Sequence, residues 1–443
     1  MTEFIVIGAG ISGLTVAHKL VQAGKDMVIL ESAGEAGGKI LTERIDGYLL
    51  EAGPNSLRVE NQETVDLIEE CGLSSRVIEA SPASKKRFIL KNGQWVKIPG
   101  GPGEALLTPL FSIGGKLRIP LELFVAKTIA KDESAASFVT RRLGQEVFDY
   151  AADPFITGIY AGNPHKLSMR NAFASMWSAE QDHSSLIRGM LKNRSKAAKK
   201  NFRPRVISFP EGLSELTSGL RNQLSQQLRL HDGALQFERT ENGFAVTSSS
   251  GVFEGKTIIF ALPAYDVAPM LLLSAPDLSK MLSNVNYPPV AVVYLGYRND
   301  QFAQIPEGFG GLIPSKENRK ILGIIFSSSN FPNRAPDGHV LLTIIMGGAC
   351  KPELSSWPNQ NILDVATAEV HELMKPNGAP AFQNVRLWNR AIPQYNVGYD
   401  AVLNSIDRAE SDIPGIHFIG NYRGGISMGA CIRNATELAK KLV

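Results

Sequence analysis

Phe4-Ile5-Val6-Ile7-Gly8-Ala9-Gly10-Ile11-Ser12-Gly13-Leu14 is the stretch on which the rest of the chain is read. Phe4 to Ile7 is a short apolar run of the kind that forms a buried strand. It breaks at Gly8-Ala9-Gly10-Ile11-Ser12-Gly13, after which Leu14, Ala17, Leu20 and Val21 recur at helical spacing as far as Gly24. A second apolar run, Met27 to Leu30, ends on Glu31. Strand, glycine turn, helix, strand and acid in that order predict a dinucleotide site. Gly8 permits the turn, Gly10 lets a diphosphate approach the backbone, and Gly13 lets the helix lie close to the strand. The helix start offers free N–H groups to phosphate, and the Glu31 carboxylate suits ribose hydroxyls. The pattern leaves NAD and FAD open, and the plainer alternative is a glycine-rich turn with no ligand.

The residues after the acid read Glu31-Ser32-Ala33-Gly34-Glu35-Ala36-Gly37-Gly38-Lys39. A glycine pair followed by a cation suits a second approach to a diphosphate. This extension resembles that of the FAD-containing amine oxidases and their relatives, in which the last residue is usually Arg. Lys39 departs from that pattern. The resemblance implies FAD, with Ser32, Gly38 and Lys39 added to its contacts.

Composition sets the bounds. A chain of 443 residues exceeds a single small core and predicts two or three subdomains. A net charge of +3 gives no ground for a nucleic-acid partner. Cys71, Cys350 and Cys431 are far apart and form no metal or redox motif, so inert thiols in a reducing cytoplasm are expected, with no metal site. The apolar start is too short for a secretory signal, and no apolar run of about 18 residues predicts a spanning helix.

Further along, Gly47 to Ser56 predicts a short strand running into a Gly53-Pro54 turn. Asn61 to Cys71 predicts a helix. Lys85 to Ile98 predicts a hairpin turning at Asn92-Gly93. Helices are expected over Leu121 to Lys131 and Val139 to Tyr150, within an apolar region that is either packed core or a face toward membrane or substrate. The basic run Lys192, Arg194, Lys196, Lys199 and Lys200 predicts a solvated loop or a contact with anionic lipid. Leu228 to Leu230, Ala234 to Phe237, Phe244 to Thr247 and Thr257 to Ala261 predict a β-meander on the dinucleotide scaffold. Val290 to Tyr297, Ile321 to Ser327 and Val340 to Met346 predict a sheet that floors a pocket. Ile345 and Met346 are candidates to touch a flat substrate, with core packing as the alternative. Ile416 to Ile419 ends at Gly420-Asn421-Tyr422-Arg423-Gly424-Gly425-Ile426-Ser427-Met428, and a helix follows. This second glycine turn into a helix suits a flavin edge or a phosphate.

Several segments resemble protoporphyrinogen oxidases of the flavin amine oxidase superfamily: Gly53-Pro54-Asn55-Ser56, Gly158 to Pro164, Ala179 to His183, and Trp388 with Ala391 to Tyr395. Phe209 to Leu213 departs, lacking the superfamily's usual double glycine. The resemblance implies cofactor contacts at Gly53, Pro54, Asn55, Ser56, Ala234, Trp388, Gly420, Asn421, Ile426, Ser427 and Met428. It places Arg87 where the family carries a basic residue facing a substrate propionate; a solvated cation on a strand edge is the alternative. Ser283 to Tyr297 lacks the lysine that several amine oxidases carry in the equivalent strand, which argues against that activity.

The expected fold is α/β: a discontinuous Rossmann-like FAD-binding domain, a mixed-sheet substrate domain and a helical insertion. The FAD-binding parts are expected at 1–57, 205–265 and 385–443. The substrate-binding parts fall at 58–98 and 266–384, and the helical, membrane-facing insertion at 99–204. The implied activity is oxidation of protoporphyrinogen IX to protoporphyrin IX by O₂ with release of hydrogen peroxide, in haem biosynthesis. The flavin carries the chemistry and no side chain serves as catalyst. Coproporphyrinogen III oxidation, an amine oxidase or carotenoid desaturase, and a flavin-bound protein without turnover are the alternatives. A cytoplasmic protein, peripheral on the membrane, is expected.

Overall fold

A computed structural model describes residues 1–197 and 203–443, without the side chains of Pro102 and 193–197. Thr2–Ile7 is the centre of a seven-stranded sheet. It pairs in parallel with Met27–Leu30 on one side and Val252–Phe260 on the other. Its inner residues Ile5, Val6 and Ile7 are buried, as a strand covered on both faces requires. Leu228–Arg229 extends the sheet beyond Met27–Leu30. The far edge of Val252–Phe260 is shared. Its first half pairs antiparallel with Gly243–Ser248, which pairs in turn with Ala234–Thr240; its second half pairs in parallel with Ile416–Phe418. The meander is therefore present, and the two ends of the chain meet in one sheet.

Helices Ile11–Gln22, Ser214–Gln223 and Met428–Leu442 cover one face of this sheet, with Leu14, Leu216, Leu220 and Ile432 fully buried between them. The first and last of these helices lie side by side.

The second seven-stranded sheet runs Phe382–Trp388, Val290–Arg298, His339–Gly347, Ile321–Phe326, Gly310–Leu312, Arg87–Lys91, Gln94–Lys97. All pairs are antiparallel except Gly310–Leu312 with Arg87–Lys91. The turn between the last two strands holds Asn92 and Gly93 at φ 52° and 73°, the left-handed pair a two-residue hairpin needs. Alternation along the strands separates two faces. Ala291, Val293, Ile344 and Met346 pack in a core with Ile362, Ala366 and Val370 of helix Asn359–Met374. Val292, Tyr294 and Leu341 pack with Tyr48 and Leu50 of strand Tyr48–Glu51, and Ile345 packs against this cluster.

The helical region departs from the sequence expectation in three places. Instead of a helix over 121–131 there is a single tight turn, Pro120–Phe124. The guanidinium of Arg142, fully buried, accounts for this. It bonds the carboxylates of Glu122 and Glu180 and takes the carbonyls of Glu122 and Val125, while Arg141 takes that of Ala126. Carbonyls held by arginines are not available to a helix ladder. The expected helix over 139–150 is instead Ala135–Leu143, stopped by Gly144 at φ 94°, then two short turns leading to Asp153–Tyr160. The first part of the expected basic loop belongs to helix Leu186–Ala197. The side chains of Arg194 and Lys196, and all of Lys199 and Lys200, lie outside the described residues.

Candidate active site

The opening glycine turn is built as a cradle. A Cβ at Gly13 would sit 1.9 Å from the carbonyl oxygen of Gly8, so only glycine lets the helix start this close to the strand. The helix begins after Gly10 with no capping side chain and no acid in its first turn. Its first N–H groups, from Ile11 to Gly13, have no intrahelical acceptor. A Cβ at Gly10 would meet nothing within 4 Å, so the turn faces open space. Ala9 is fully buried behind it, and Ser12 is buried beside Cys431 of the last helix.

Glu31 is tied to this turn. One carboxylate oxygen accepts the Ala9 N–H at 2.7 Å; the other accepts the Ala33 N–H at 2.8 Å and the Ser32 hydroxyl at 3.3 Å. The oxygen bonded by Ala9 keeps a lone pair for a further donor. The segment ahead of Ala234 docks here too, for the N–H groups of His231 and Asp232 donate to the carbonyls of Ala33 and Glu31.

The second glycine turn lies across the first, with the Gly37 N–H donating to the Ala9 carbonyl at 2.8 Å. Lys39 follows. Its ammonium donates to the Arg390 carbonyl and sits 5.1 Å from the centre of the Trp388 ring. Burial pushes this amine down to about 8, opposed by the charge of Asp266. Gly53 packs directly on the Lys39 carbonyl, where a Cβ would come within 2.0 Å of the oxygen. Pro54, Asn55 and Ser56 continue from there, half-buried. The Trp388 indole donates to the Ala52 carbonyl at 2.6 Å.

The closing turn completes the ring of segments. Ile419 bonds Phe260, beside the strand that precedes the opening turn. Tyr395 donates its hydroxyl to the Asn421 carbonyl at 2.6 Å and accepts the Gly425 N–H at 3.1 Å. Ile426 packs partly buried beneath; Ser427 caps the last helix through the Ala430 N–H, and Met428 is buried. The Gly429 carbonyl is bonded by Asn61, which brings this helix start to the foot of the Gly53–Ser56 segment.

Next to Asn55 and Ser56 lies a narrow cavity with room for about one water, lined by Phe309, Ile325, Glu51, Asn330 and Arg334 among others. Ile345 lies on the sheet face toward Trp388 and Ala161. Met346 does not: strand alternation turns it into the helix-packed core, where it is fully buried, and this corrects the expectation for it. Arg87 stacks on one wall residue of this cavity, its guanidinium 4.9 Å from the centre of the Phe309 ring. No carboxylate pairs with it among the described residues. Partial burial and the charge of Arg58 both disfavour its protonated form.

Sequence reading missed Glu51, Asn330, Arg334 and the two tyrosines of the closing turn. Tyr399 donates to the Tyr422 carbonyl at 2.8 Å. Nothing local marks these residues, since each gains its place from partners far away in the chain.

The cradle tests the implied cofactor on its own chemistry. Open space at Gly10, uncapped helix N–H groups, an aimed carboxylate at Glu31 and a partly buried ammonium at Lys39 fit a dinucleotide with a diphosphate at its centre. Among the described residues no cluster offers metal ligands.

Comparisons with known proteins agree. The profile described as "Flavin containing amine oxidoreductase" matches residues 11–443. The mitochondrial protoporphyrinogen oxidase of Nicotiana tabacum is 31% identical over 475 residues, covering 99% of this chain and 94% of that protein. The coproporphyrinogen III oxidase of Bacillus subtilis is 27% identical, covering 97% and 95%. Among solved structures, a protein of Exiguobacterium sp. 255-15 provisionally assigned as a protoporphyrinogen oxidase superposes with a TM-score of 0.82 at 21% identity, covering 100% and 98%.

Proposed function

We propose a porphyrinogen oxidase activity from one premise: this chain belongs to the flavin containing amine oxidoreductase family. It is an FAD-dependent oxidase. The reaction we assign is oxidation of protoporphyrinogen IX to protoporphyrin IX by O₂, with hydrogen peroxide released, in haem biosynthesis. Bound FAD supplies a two-electron acceptor that hands its electrons to O₂.

The observation that carries the substrate is Arg87. A guanidinium stacked on Phe309, a wall residue of the cavity, and lacking a carboxylate partner among the described residues calls for an anionic ligand group. Ile325 lines the cavity and Ile345 lies on the sheet face toward Trp388, an apolar setting that suits a flat ring. The bridging carbon of a porphyrinogen is activated by its flanking pyrroles, so the chain needs chiefly to bind, orient and exclude water.

For the cofactor, Gly8 to Gly13 and the second turn at Gly38 and Lys39 take the diphosphate, and Glu31 with Ser32 takes the ribose. Ala234 borders the adenine. Gly53 to Ser56, Trp388 and the closing turn from Gly420 to Met428 border the ring system. The interleaved domain limits given above belong to the same proposal, and the pairing of Ile416–Phe418 with Val252–Phe260 supports them.

Coproporphyrinogen III is the second reading. Arg58 bears on Arg87 but is itself paired with Glu60, so the similarity to the coproporphyrinogen III oxidase of Bacillus subtilis is what supports this reading. Peripheral membrane contact of a cytoplasmic protein is also proposed. Leu106, Leu107, Ile113, Leu117, Phe124 and Ile129 are all exposed in the helical region. Among the described residues no helix is long and apolar enough to cross a membrane.

Each porphyrinogen is added to the purified yellow protein in air, and porphyrin fluorescence and peroxide are followed together. Faster turnover of protoporphyrinogen IX is expected. Preference for coproporphyrinogen III selects the second reading, and no porphyrin from either ends both.

A further inference from the structure

We propose that Glu51, reached through one water seated against Asn330, takes up the proton that the substrate loses in each oxidation. This rests on the porphyrinogen reading above and adds a residue to it.

The geometry comes first. Asn330 is 2% exposed and lines the cavity. Its amide nitrogen donates to the Phe309 carbonyl at 2.9 Å, which fixes the amide's orientation. Its Oδ1 is then left buried with no partner. A buried acceptor of this kind is costly unless water satisfies it. The cavity's free space admits about one water. Glu51 and Phe309 line the same cavity, and Arg87 stacks on Phe309. A single water there links the substrate end to Glu51.

The surroundings of Glu51 suit the role. Its carboxylate accepts the Thr42 hydroxyl at 2.7 Å and the Leu213 N–H at 2.8 Å. The guanidinium of Arg334 stands 4.0 Å away, itself under the charges of Arg44, Glu211 and Glu215. Tyr294 donates to the Glu51 carbonyl at 2.8 Å. Burial outweighs these partners and pushes the carboxyl up to about 7. Such a group changes charge near neutral pH, where proton uptake and return both cost little.

In each oxidation the bridging carbon must give up hydride with its electron pair, and bound FAD would supply the acceptor. A pyrrole N–H gives its proton through the water to Glu51, and new double bonds close between carbon and ring. When O₂ takes the two electrons it needs two protons to become H₂O₂. The hydride removed with the electrons accounts for one, and Glu51 would return the other and regain its carboxylate.

Infrared titration of the holoprotein without substrate is the first test. A protonated-carboxyl band that titrates near pH 7 is expected, lost in Glu51→Gln; its absence from the wild type overturns the proposal. Anaerobic flavin reduction by protoporphyrinogen IX is the second. Its rate is expected to rise with pH through about 7 in the wild type. It should fall about 100-fold in Glu51→Gln, with no pH dependence left there. Asn330→Leu, which fills the water's place, is expected to slow reduction similarly while the infrared band persists; an unchanged rate overturns the relay. An active wild type whose Glu51→Gln profile superimposes on its own sinks the relay alone. A wild type that oxidises no porphyrinogen sinks the reaction reading and the relay with it.

Discussion

The Trp388 indole donates to the Ala52 carbonyl at 2.6 Å, tying the edge strand of the substrate sheet to the segment that leads into Gly53–Ser56. The ring also lies under two cations, Lys39 at 5.1 Å and Arg386 at 5.2 Å. Trp388→Phe keeps a ring but loses the donor. We expect about 1 kcal/mol of lost stability and a shifted flavin absorption band. Urea unfolding and the visible spectrum check it; an unchanged spectrum argues that the indole lies apart from the cofactor.

Gly13→Ala places a methyl 1.9 Å from the Gly8 carbonyl oxygen, which is backbone and cannot swing aside. The helix must then shift off the strand, at a cost of about 2 kcal/mol or more. A fall in the urea midpoint together with weaker FAD retention is expected. Gly24→Ala has open space around it and serves as the comparison, although its φ of 75° adds some strain.

What sequence alone could reach follows the range of the interactions. Gly8 to Glu31 was legible because a strand, a glycine turn and a helix declare themselves within a few residues. The helical region was not. The carbonyls that would build a helix over 121–131 are held by Arg141 and Arg142, and that pairing leaves no local periodicity. Ile345 and Met346 were both read as substrate candidates although a strand turns neighbours to opposite faces, and only the partners across the sheet show that Met346 is the one in the core. Glu51, Asn330 and Arg334 come together from distant segments, so no spacing announces them.

Arg87→Ala tests substrate recognition. A charge-assisted bond to a carboxylate contributes about 1.5–3 kcal/mol, so KM should rise roughly 10- to 100-fold while FAD stays bound. Arg87→Lys should recover part of that affinity and lose the stacking on Phe309. Steady-state kinetics with protoporphyrinogen IX checks both. An unaltered KM in Arg87→Ala takes this residue out of the substrate site.

Glu31→Ala removes the acceptor of the Ala9 and Ala33 N–H groups as well as the proposed ribose contact. FAD should be lost on gel filtration, read as a fall in the ratio of visible to ultraviolet absorbance. Glu31→Gln still accepts one hydrogen bond and should retain more flavin. Equal retention in all three proteins counts against the ribose contact.

Lys39 departs from the arginine that the family resemblance implies at this position, and the difference should be visible in pH dependence. Burial holds its amine at about 8, below the 10.5 of a free lysine. In the cofactor-free protein the unfolded chain therefore binds more protons between those two values, and this residue's contribution to stability rises with pH across that window. Binding of a diphosphate runs the other way. It favours the ammonium, so above pH 8 binding must take up a proton and FAD affinity must fall as pH rises. The limit is about tenfold per pH unit until the holoprotein's own amine titrates. Lys39→Arg stays charged throughout and should flatten the curve. Dissociation constants from flavin fluorescence between pH 7 and 10 decide it. Parallel curves for lysine and arginine would place the ammonium away from the phosphates.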